Sequence, residues 1–313
     1  MSERTSLTTP TFYFIGVTTG QSSMMRIFPA WMTALGRPEI GLVGYDCQIH
    51  DEPARYRQIV AHIKEEPLAV GALITTHKLD LLAAARDLFD ALDQYAQLCD
   101  EISCIAKRDG QLQGYAIDPV ADGRALEAIL GKGYFGRTKG GLLCLGAGGA
   151  ATAIALYLIN RPNPADRPKY FTLVDVDPAR LAHVQAMVNK VGSDIHFEYI
   201  HTTDPAETDR LVAALTPSSV VINATGLGKD RPGSPVTDGV QFPKHGVIWE
   251  LNYRGERQFL QQALAQKAKR KLTVEDGWLC FLHGWTGVIS KVLDLSIDTA
   301  TFNRLAKIAA ELR

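Results

Sequence analysis

Residues 142–160 read LLCLGAGGAATAIALYLIN, from Leu142 to Asn160. An apolar run breaks into glycines and then continues as alanine, leucine and isoleucine. A short apolar run closed by glycine reads as a buried strand, and the stretch after it as a helix. Gly146-Ala147-Gly148-Gly149-Ala150-Ala151 keeps the G-x-G-x-x-G/A spacing, with Ala151 in the third place. In that pattern the first glycine allows a tight turn and the second lets a pyrophosphate approach bare backbone. The third small residue lets helix and strand pack closely. The helix N-terminus adds N–H donors and a partial positive charge, which suit a phosphate.

The next apolar stretch, Tyr170 to Asp175, runs into LVDVD, Leu173 to Asp177. Asp175 follows Ala151 by 24 residues. Its carboxylate can accept hydrogen bonds from the adenosine ribose hydroxyls and would repel a 2′-phosphate. The pattern therefore favours NAD, with NADP second. Asp177 is a second candidate for the ribose contact, and neighbouring Arg180 is a cation that would tolerate NADP. An ordinary α/β turn with a solvated aspartate is the bland alternative. A strand before the glycines, a helix after them and an acid ending the next strand favour the nucleotide.

Working outward, strands and helices alternate. After strand Gly141–Leu145 and helix Ala150–Asn160 come strand Tyr170–Asp175, helix Ala179–Val191 and strand Ile195–His201. Helix Pro205–Leu215, strand Ser219–Ala224, strand Val247–Leu251 and helix Arg257–Gln266 follow. Such alternation implies an α/β fold with a doubly wound parallel sheet. Upstream, Phe12–Val17, Ile40–Asp46 and Ala69–Thr75 read as strands, and Met24–Leu35 and Ala54–Glu65 as helices. His77–Leu98 reads as one long amphipathic helix, because Leu81, Leu82, Ala85, Leu88, Phe89 and Leu92 recur at three and four. Ile102–Ala106 and Leu112–Ile117 flank Asp109-Gly110, a hairpin turn signal. Helix Asp118–Leu130 leads out of this part, and glycines at 131, 133, 136, 140 and 141 mark a flexible junction. Helices Trp278–Val292 and Thr299–Leu312 have no strand after them and are expected to pack back on the first part.

The chain has 313 residues, a net charge of −1 and 46% hydrophobic residues. That length suits two domains. Near-neutral charge gives no electrostatic footprint for nucleic acid or an anionic membrane. The opening stretch has no apolar run of signal-peptide length, and no run reaches the roughly 20 residues that span a bilayer. Five scattered cysteines without metal spacing read as reduced thiols. A cytoplasmic protein is the expectation.

A dinucleotide enzyme that oxidises an alcohol also needs a group to exchange its proton. Thr75-Thr76-His77-Lys78 follows a strand end, and Asp118 follows Leu112–Ile117. A lysine beside an aspartate is a proton-transfer group with an electrostatic partner. On spacing alone, Lys78 reads more readily as a solvated surface lysine and Asp118 as a helix N-cap before Pro119.

Across nearly its whole length the chain resembles the shikimate/quinate dehydrogenase family. GVTTGQSSMMRIFPAW (Gly16–Trp31) is similar to the family's serine segment that grips the substrate carboxylate. GALITTHKLDLL (Gly71–Leu82) is similar to its catalytic-lysine segment. EISCIAKRDGQLQGYAIDPVADG (Glu101–Gly123) keeps its DG-x-L-x-GY-x-x-D pattern. LGAGGAA matches its nucleotide loop, and NATGLG (Asn223–Gly228) the segment beside the nicotinamide. ELNYRGERQFLQQA (Glu250–Ala263) and EDGWLCFLHG (Glu275–Gly284) match its C-terminal blocks.

The resemblance implies Lys78 and Asp118 as the catalytic pair. It implies Ser22, Ser23, Thr75, Ser103, Tyr253 and His283 around the substrate. It places the dinucleotide on Gly146, Ala147, Gly148, Gly149, Ala150, Asp175, Asp177, Arg180, Asn223, Thr225 and Gly226. It implies a substrate-binding domain of residues 1–120 plus 278–313 and a Rossmann domain of residues 121–277. The implied reaction is reversible hydride transfer between a ring secondary alcohol of a small hydroxylated cyclic acid and NAD, with no metal. The implied setting is aromatic amino acid biosynthesis, as a monomer or homodimer.

Several specificity positions depart from the family. Its Ser-x-Ser-Pro reads Ser22-Ser23-Met24-Met25, and the Pro-Phe before the lysine reads Thr76-His77. Its substrate-binding Asn aligns with Ser103, and its Asn-Thr before the aspartate with Ala116-Ile117. Its C-terminal Gln is replaced near His283 and Gly284. Retained chemistry with a less polar pocket is the pattern of altered substrate choice. Arg26 offers a charge for a carboxylate or is a solvated helix residue, and His77 joins substrate binding or is structural. Trp278 and Trp285 are expected in the core. Two other functions stay open: the same chemistry on an amino-substituted or other non-shikimate hydroxy acid, and a dinucleotide-binding regulator without turnover.

Overall fold

The computed structural model describes residues 7–229 and 231–313. The chain divides into two units, Met1–Ile117 with Gly284–Arg313, and Asp118–His283. Each carries one six-stranded sheet among the described residues.

The first unit runs β1 (Thr11–Gly16), α1 (Met24–Ala34), β2 (Gly41–Asp46), α2 (Pro53–Glu65), β3 (Ala69–Ile74) and α3 (Lys78–Ala85). Then come β4 (Ala91–Leu92), α4 (Gln94–Cys99), β5 (Cys104–Arg108) and β6 (Gln111–Tyr115). The sheet order is β2-β1-β3-β5-β6-β4. β1 pairs parallel with β2 and β3, whereas β5 runs antiparallel to β3 and β6. Every residue of β1 is buried, as a strand covered on both faces must be. One face packs Tyr13, Ile15, Ile59, Val60, Leu81 and Leu82. On the other, Trp285 lies 5.0 Å from Phe14 and 6.2 Å from Phe12. The buried Trp31 indole N–H donates to the Leu305 carbonyl at 2.8 Å, fastening α1 to the C-terminal helix. Asp109 and Gly110, at φ 50° and 77°, make the expected turn between β5 and β6.

The single helix expected over His77–Leu98 is not formed. α3 stops at Ala85, and the chain turns extended at Phe89 to add β4 at the sheet edge beside β6. The reason is polar. The Asp90 carboxylate accepts the Leu112 N–H, and that of Asp93 accepts the N–H groups of Ala96 and Ala116. Two aspartates thus fix the backbone to β6 and restart a helix at α4, although the apolar spacing runs on at helical period.

The second unit runs α5 (Asp118–Leu130), α6 (Tyr134–Thr138), β7 (Leu142–Leu145), α7 (Gly149–Ile159), β8 (Tyr170–Asp175), α8 (Pro178–Val191), β9 (His196–His201) and α9 (Pro205–Ala213). β10 (Val220–Asn223), β11 (Val247–Glu250), α10 (Gln258–Arg270) and β12 (Thr273–Glu275) complete its sheet. α11 (Trp278–Leu293) begins in this unit, and α12 (Thr299–Glu311) belongs to the first. The order β12-β11-β10-β7-β8-β9 is all parallel and reverses between β7 and β10, which makes this a Rossmann-like sheet. α7 is apolar nearly all round and buried accordingly; a Cβ on Gly123 of α5 would meet the Tyr157 ring at 2.2 Å. Asp177 and Asp204, each followed by Pro-Ala, cap α8 and α9 by accepting the N–H two residues on.

α6 lies in the stretch expected to be a junction, and β12 is a strand that the sequence did not suggest. Asp118 and residues 278–283 fall in the second unit. Among the described residues no helix is long and apolar enough to cross a membrane.

Candidate active site

In the second unit the crevice at the carboxyl ends of β7 and β10 is built by Gly146. Its φ is +101°, and a Cβ there would fall 2.7 Å from the Ala224 carbonyl group. Only glycine lets the end of β7 lie this close to the chain leaving β10. Gly148, the N-cap of α7, differs. Its φ is −82°, and a Cβ there would meet nothing within 4 Å. Neither its backbone nor the surrounding protein demands glycine, so the bare position faces open space at a helix N-terminus whose first N–H groups have no intrahelical acceptor. That is the cradle a pyrophosphate fits.

Asp175 is 6% exposed. One carboxylate oxygen accepts the Ala147 N–H at 2.6 Å and the other the Asp177 N–H at 2.9 Å. An ionised carboxylate has about four acceptor positions, so room remains for a ligand hydroxyl. Asp177 is occupied as the cap of α8, with the Arg180 guanidinium 3.8 Å away. A cleft of about 270 Å³ is lined by Asp175, Val176, Arg180, Thr203, Thr225 and Arg231 among others. Its size and its mixture of one buried acid with two arginines fit the adenosine half of a dinucleotide.

The loop after β10 is held by a residue that sequence reasoning missed. Glu250, the last residue of β11, is wholly buried and accepts from the Asn223 side-chain amide and the Asn252 N–H, both at 2.8 Å. Burial pushes its carboxyl up to about 7, against the opposing pull of these hydrogen bonds and of Arg257. Asn223 in turn accepts from the Thr225 N–H and hydroxyl at 3.1 and 2.7 Å. The signal lay in VIWE, an apolar strand ending in an acid at the carboxyl edge of a parallel sheet.

In the first unit the strand order reverses between β1 and β3, and sequence candidates gather there. Thr75 follows β3; its N–H and hydroxyl both donate to the Ile15 carbonyl, at 3.0 and 3.3 Å. Lys78 opens α3 and is half-buried, and its carbonyl accepts the Ile102 N–H. Ser103 sits on the same edge, since its carbonyl accepts the Ile74 N–H. It is 3% exposed, and its hydroxyl accepts the Ile117 N–H at 2.8 Å, fixing the backbone just before Asp118. Beyond β1 a 3-10 turn carries Thr19, whose N–H and hydroxyl donate to Asp46 at 2.8 and 2.5 Å. Ser22 and Ser23 follow, half-buried, and the Ser22 hydroxyl accepts the Met24 N–H at 3.2 Å. Met24 is fully buried and Arg26 exposed. His77 is buried with its Nδ1 2.8 Å from the Tyr56 hydroxyl, and burial holds its pKa down.

Asp118 opens α5 in the second unit, half-buried. Tyr253 lies 4.4 Å from the Phe281 ring and 6.0 Å from Trp278, which is half-buried rather than in the core. Burial, aided by Arg124, pushes His283 down to about 4, so it is neutral at ordinary pH and can serve a ligand only as a neutral donor or acceptor.

No protein-family model matches the chain. Among curated proteins it is 25% identical over 280 residues to a shikimate dehydrogenase (NADP(+)) of Methylobacterium radiotolerans, covering 89% of each. Among solved structures it resembles the quinate dehydrogenase from Corynebacterium glutamicum in complex with NAD. Identity there is 18%, coverage 97% of this chain and 99% of that one, and the TM-score 0.72. It also resembles the ligand-free 5-ketofructose reductase of a Gluconobacter strain, at 19% identity, 97% and 99% coverage and a TM-score of 0.69. At these identities the structural likeness is one of fold.

Proposed function

We propose that this chain, which belongs to the shikimate/quinate dehydrogenase family and is an NAD(P)-dependent dehydrogenase of that kind, reversibly oxidises a ring secondary alcohol on a small hydroxylated cyclic acid, with NAD preferred. The observation that carries the reading is Lys78 at the head of α3, beyond the carboxyl end of β3, with Thr75 and Ser103 on the same sheet edge.

The bound nicotinamide supplies the hydride acceptor or donor. Lys78 takes the alcohol proton during oxidation and returns it during reduction. Asp118 is the acid assigned to the substrate hydroxyl. Ser22 and Ser23 are assigned to the substrate carboxylate, and Tyr253 and His283 to further substrate contacts. The Gly146–Ala150 loop holds the pyrophosphate, Asp175 the ribose, and Asn223, Thr225 and Gly226 the nicotinamide side. Asp175 supports NAD; Arg180 and Arg231 in the same cleft are the residues that would admit NADP.

Met24, fully buried where the family has its second serine, favours a second reading of the substrate: a hydroxy acid other than shikimate or quinate, including an amino-substituted one. One assay separates these. NADH and NADPH formation is followed with shikimate, with quinate and with an amino-substituted analogue, each beside Lys78→Ala. NAD-linked oxidation of either acid that collapses in the variant supports the first reading. Folded protein that binds NADH and is silent on both acids overturns it in favour of another substrate.

A further inference from the structure

We propose that Glu250 is a positioning residue: its carboxylate, set between Asn223 and Asn252, fixes the loop 223–228 and with it the seat of the nicotinamide half of the dinucleotide. The inference rests on the dinucleotide reading above.

Both oxygens of Glu250 face donors, the Asn223 side-chain NH₂ and the Asn252 backbone N–H, each at 2.8 Å. The orientation of the Asn223 amide follows from its other partner. Its oxygen accepts the Thr225 backbone N–H at 3.1 Å, a donor that cannot be reversed, so its NH₂ is left for Glu250. The far end of the loop is tied to the same acid. The Asn252 side chain donates to the Leu227 carbonyl at 2.8 Å, and the Leu227 N–H donates to the Thr225 hydroxyl at 3.2 Å. The start of the loop therefore hangs from Glu250 through Asn223 and its end through Asn252.

The loop needs such a clamp. Gly226 and Gly228 sit at φ +75° and +85°, and glycine brings little conformational preference of its own. The loop also abuts the phosphate turn, since the Ala224 N–H donates to the Leu145 carbonyl at 2.7 Å. Only an acceptor on both sides satisfies the two donors. An apolar residue would leave both unpaired in a buried site, and a glutamine would turn its own NH₂ on one of them. The positive charge acting on Glu250 is Arg257, itself paired with Asp276 at 2.9 Å.

The test measures dissociation constants at pH 8, where the Glu250 carboxyl is mostly ionised and both its oxygens accept, for NADH and NADPH by fluorescence and for ADP-ribose, which lacks nicotinamide, by calorimetry. Wild type is compared with Glu250→Gln, Asn252→Ala and the double variant Asn223→Asp/Glu250→Gln. Glu250→Gln is expected to weaken the reduced dinucleotide that wild type binds by about tenfold or more, with ADP-ribose changed less than about twofold. Asn252→Ala, which cuts the tie to Leu227 and leaves the Asn252 backbone N–H on Glu250, gives the same split and serves if Glu250→Gln does not fold. The double variant moves the carboxylate across the contact, so that the introduced glutamine NH₂ meets the introduced aspartate, and it recovers most of the loss. Equal affinities in wild type and both single variants overturn the inference, as does a parallel loss of ADP-ribose or a double variant no better than Glu250→Gln. A wild-type chain that binds neither NADH nor NADPH overturns the dinucleotide reading, and the inference falls with it.

Discussion

The buried carboxylate of Asp175 accepts the backbone N–H of Ala147, inside the glycine loop, at 2.6 Å. The acid that ends β8 therefore shapes the turn that ends β7, besides any contact it makes with a ribose. Asp175→Ala leaves the Ala147 and Asp177 N–H groups without their acceptor, at a cost of about 1–3 kcal/mol. Urea unfolding should read that loss, and affinity should fall for NADH and NADPH together. Asp175→Ala that keeps its stability and gains only NADPH affinity would show Asp175 to be a selectivity residue and not a support of the loop.

Lys78 opens a helix and is half-buried, with no place in the apolar core. Lys78→Met should still unfold in a single cooperative urea transition, because the side chain fills no core space. It should lower kcat by roughly 10²–10⁴, the range of a lost general acid–base group. Turnover within tenfold of wild type on the physiological substrate would remove Lys78 from the chemistry.

Much of this was legible in the sequence because the signals were local. An apolar strand, the glycines from Gly146 to Gly149 and the apolar α7 announce one another within 19 residues, Leu142 to Asn160. Asp109-Gly110 announces its turn by backbone preference alone. The misreadings come from tertiary partners. Leu88, Phe89 and Leu92 keep helical spacing, yet Asp90 and Asp93 find N–H groups of residues 112 and 116, some twenty positions on, and the sheet edge prevails. β12 has three residues, of which only Val274 is buried, too short for a periodic signal. Glu250 was hidden for a like reason: its partner Asn223 lies 27 positions away, and nothing local marks a strand-end acid as buried.

Glu250 also predicts a pH dependence of stability. Its carboxyl is raised from an ordinary 4.5 to about 7 by burial. The folded state thus holds a proton that the unfolded chain releases between those values, and the stability this gives is full below the unfolded value. It is lost as pH rises through the folded one. The span corresponds to about 3 kcal/mol at 1.36 kcal/mol per pH unit. In Glu250→Gln this slope should vanish, whatever constant offset the lost hydrogen bond adds. Unfolding free energies from urea titrations at pH 5 and pH 8 check it: wild type should lose about 2.5 kcal/mol more than the variant between them, and parallel changes would refute the assignment.

Gly146 and Gly148 share one motif, yet they should fail in different ways. At Gly146, φ is +101° and a Cβ would press on the Ala224 carbonyl group at 2.7 Å, so Gly146→Ala strains the backbone and pushes β7 and β10 apart. A loss of about 2 kcal/mol or more is expected on unfolding. At Gly148, φ is ordinary and a Cβ meets nothing within 4 Å, so Gly148→Ala should be as stable as wild type within about 0.5 kcal/mol, or slightly more stable. Its methyl group instead occupies the space into which a pyrophosphate must come, so dinucleotide affinity should fall by roughly tenfold or more. Unfolding curves and NADH titrations of the two variants, side by side, separate the glycine the fold requires from the glycine the ligand requires. A Gly148→Ala protein that binds NADH like wild type would mean that the phosphates do not pass over this turn.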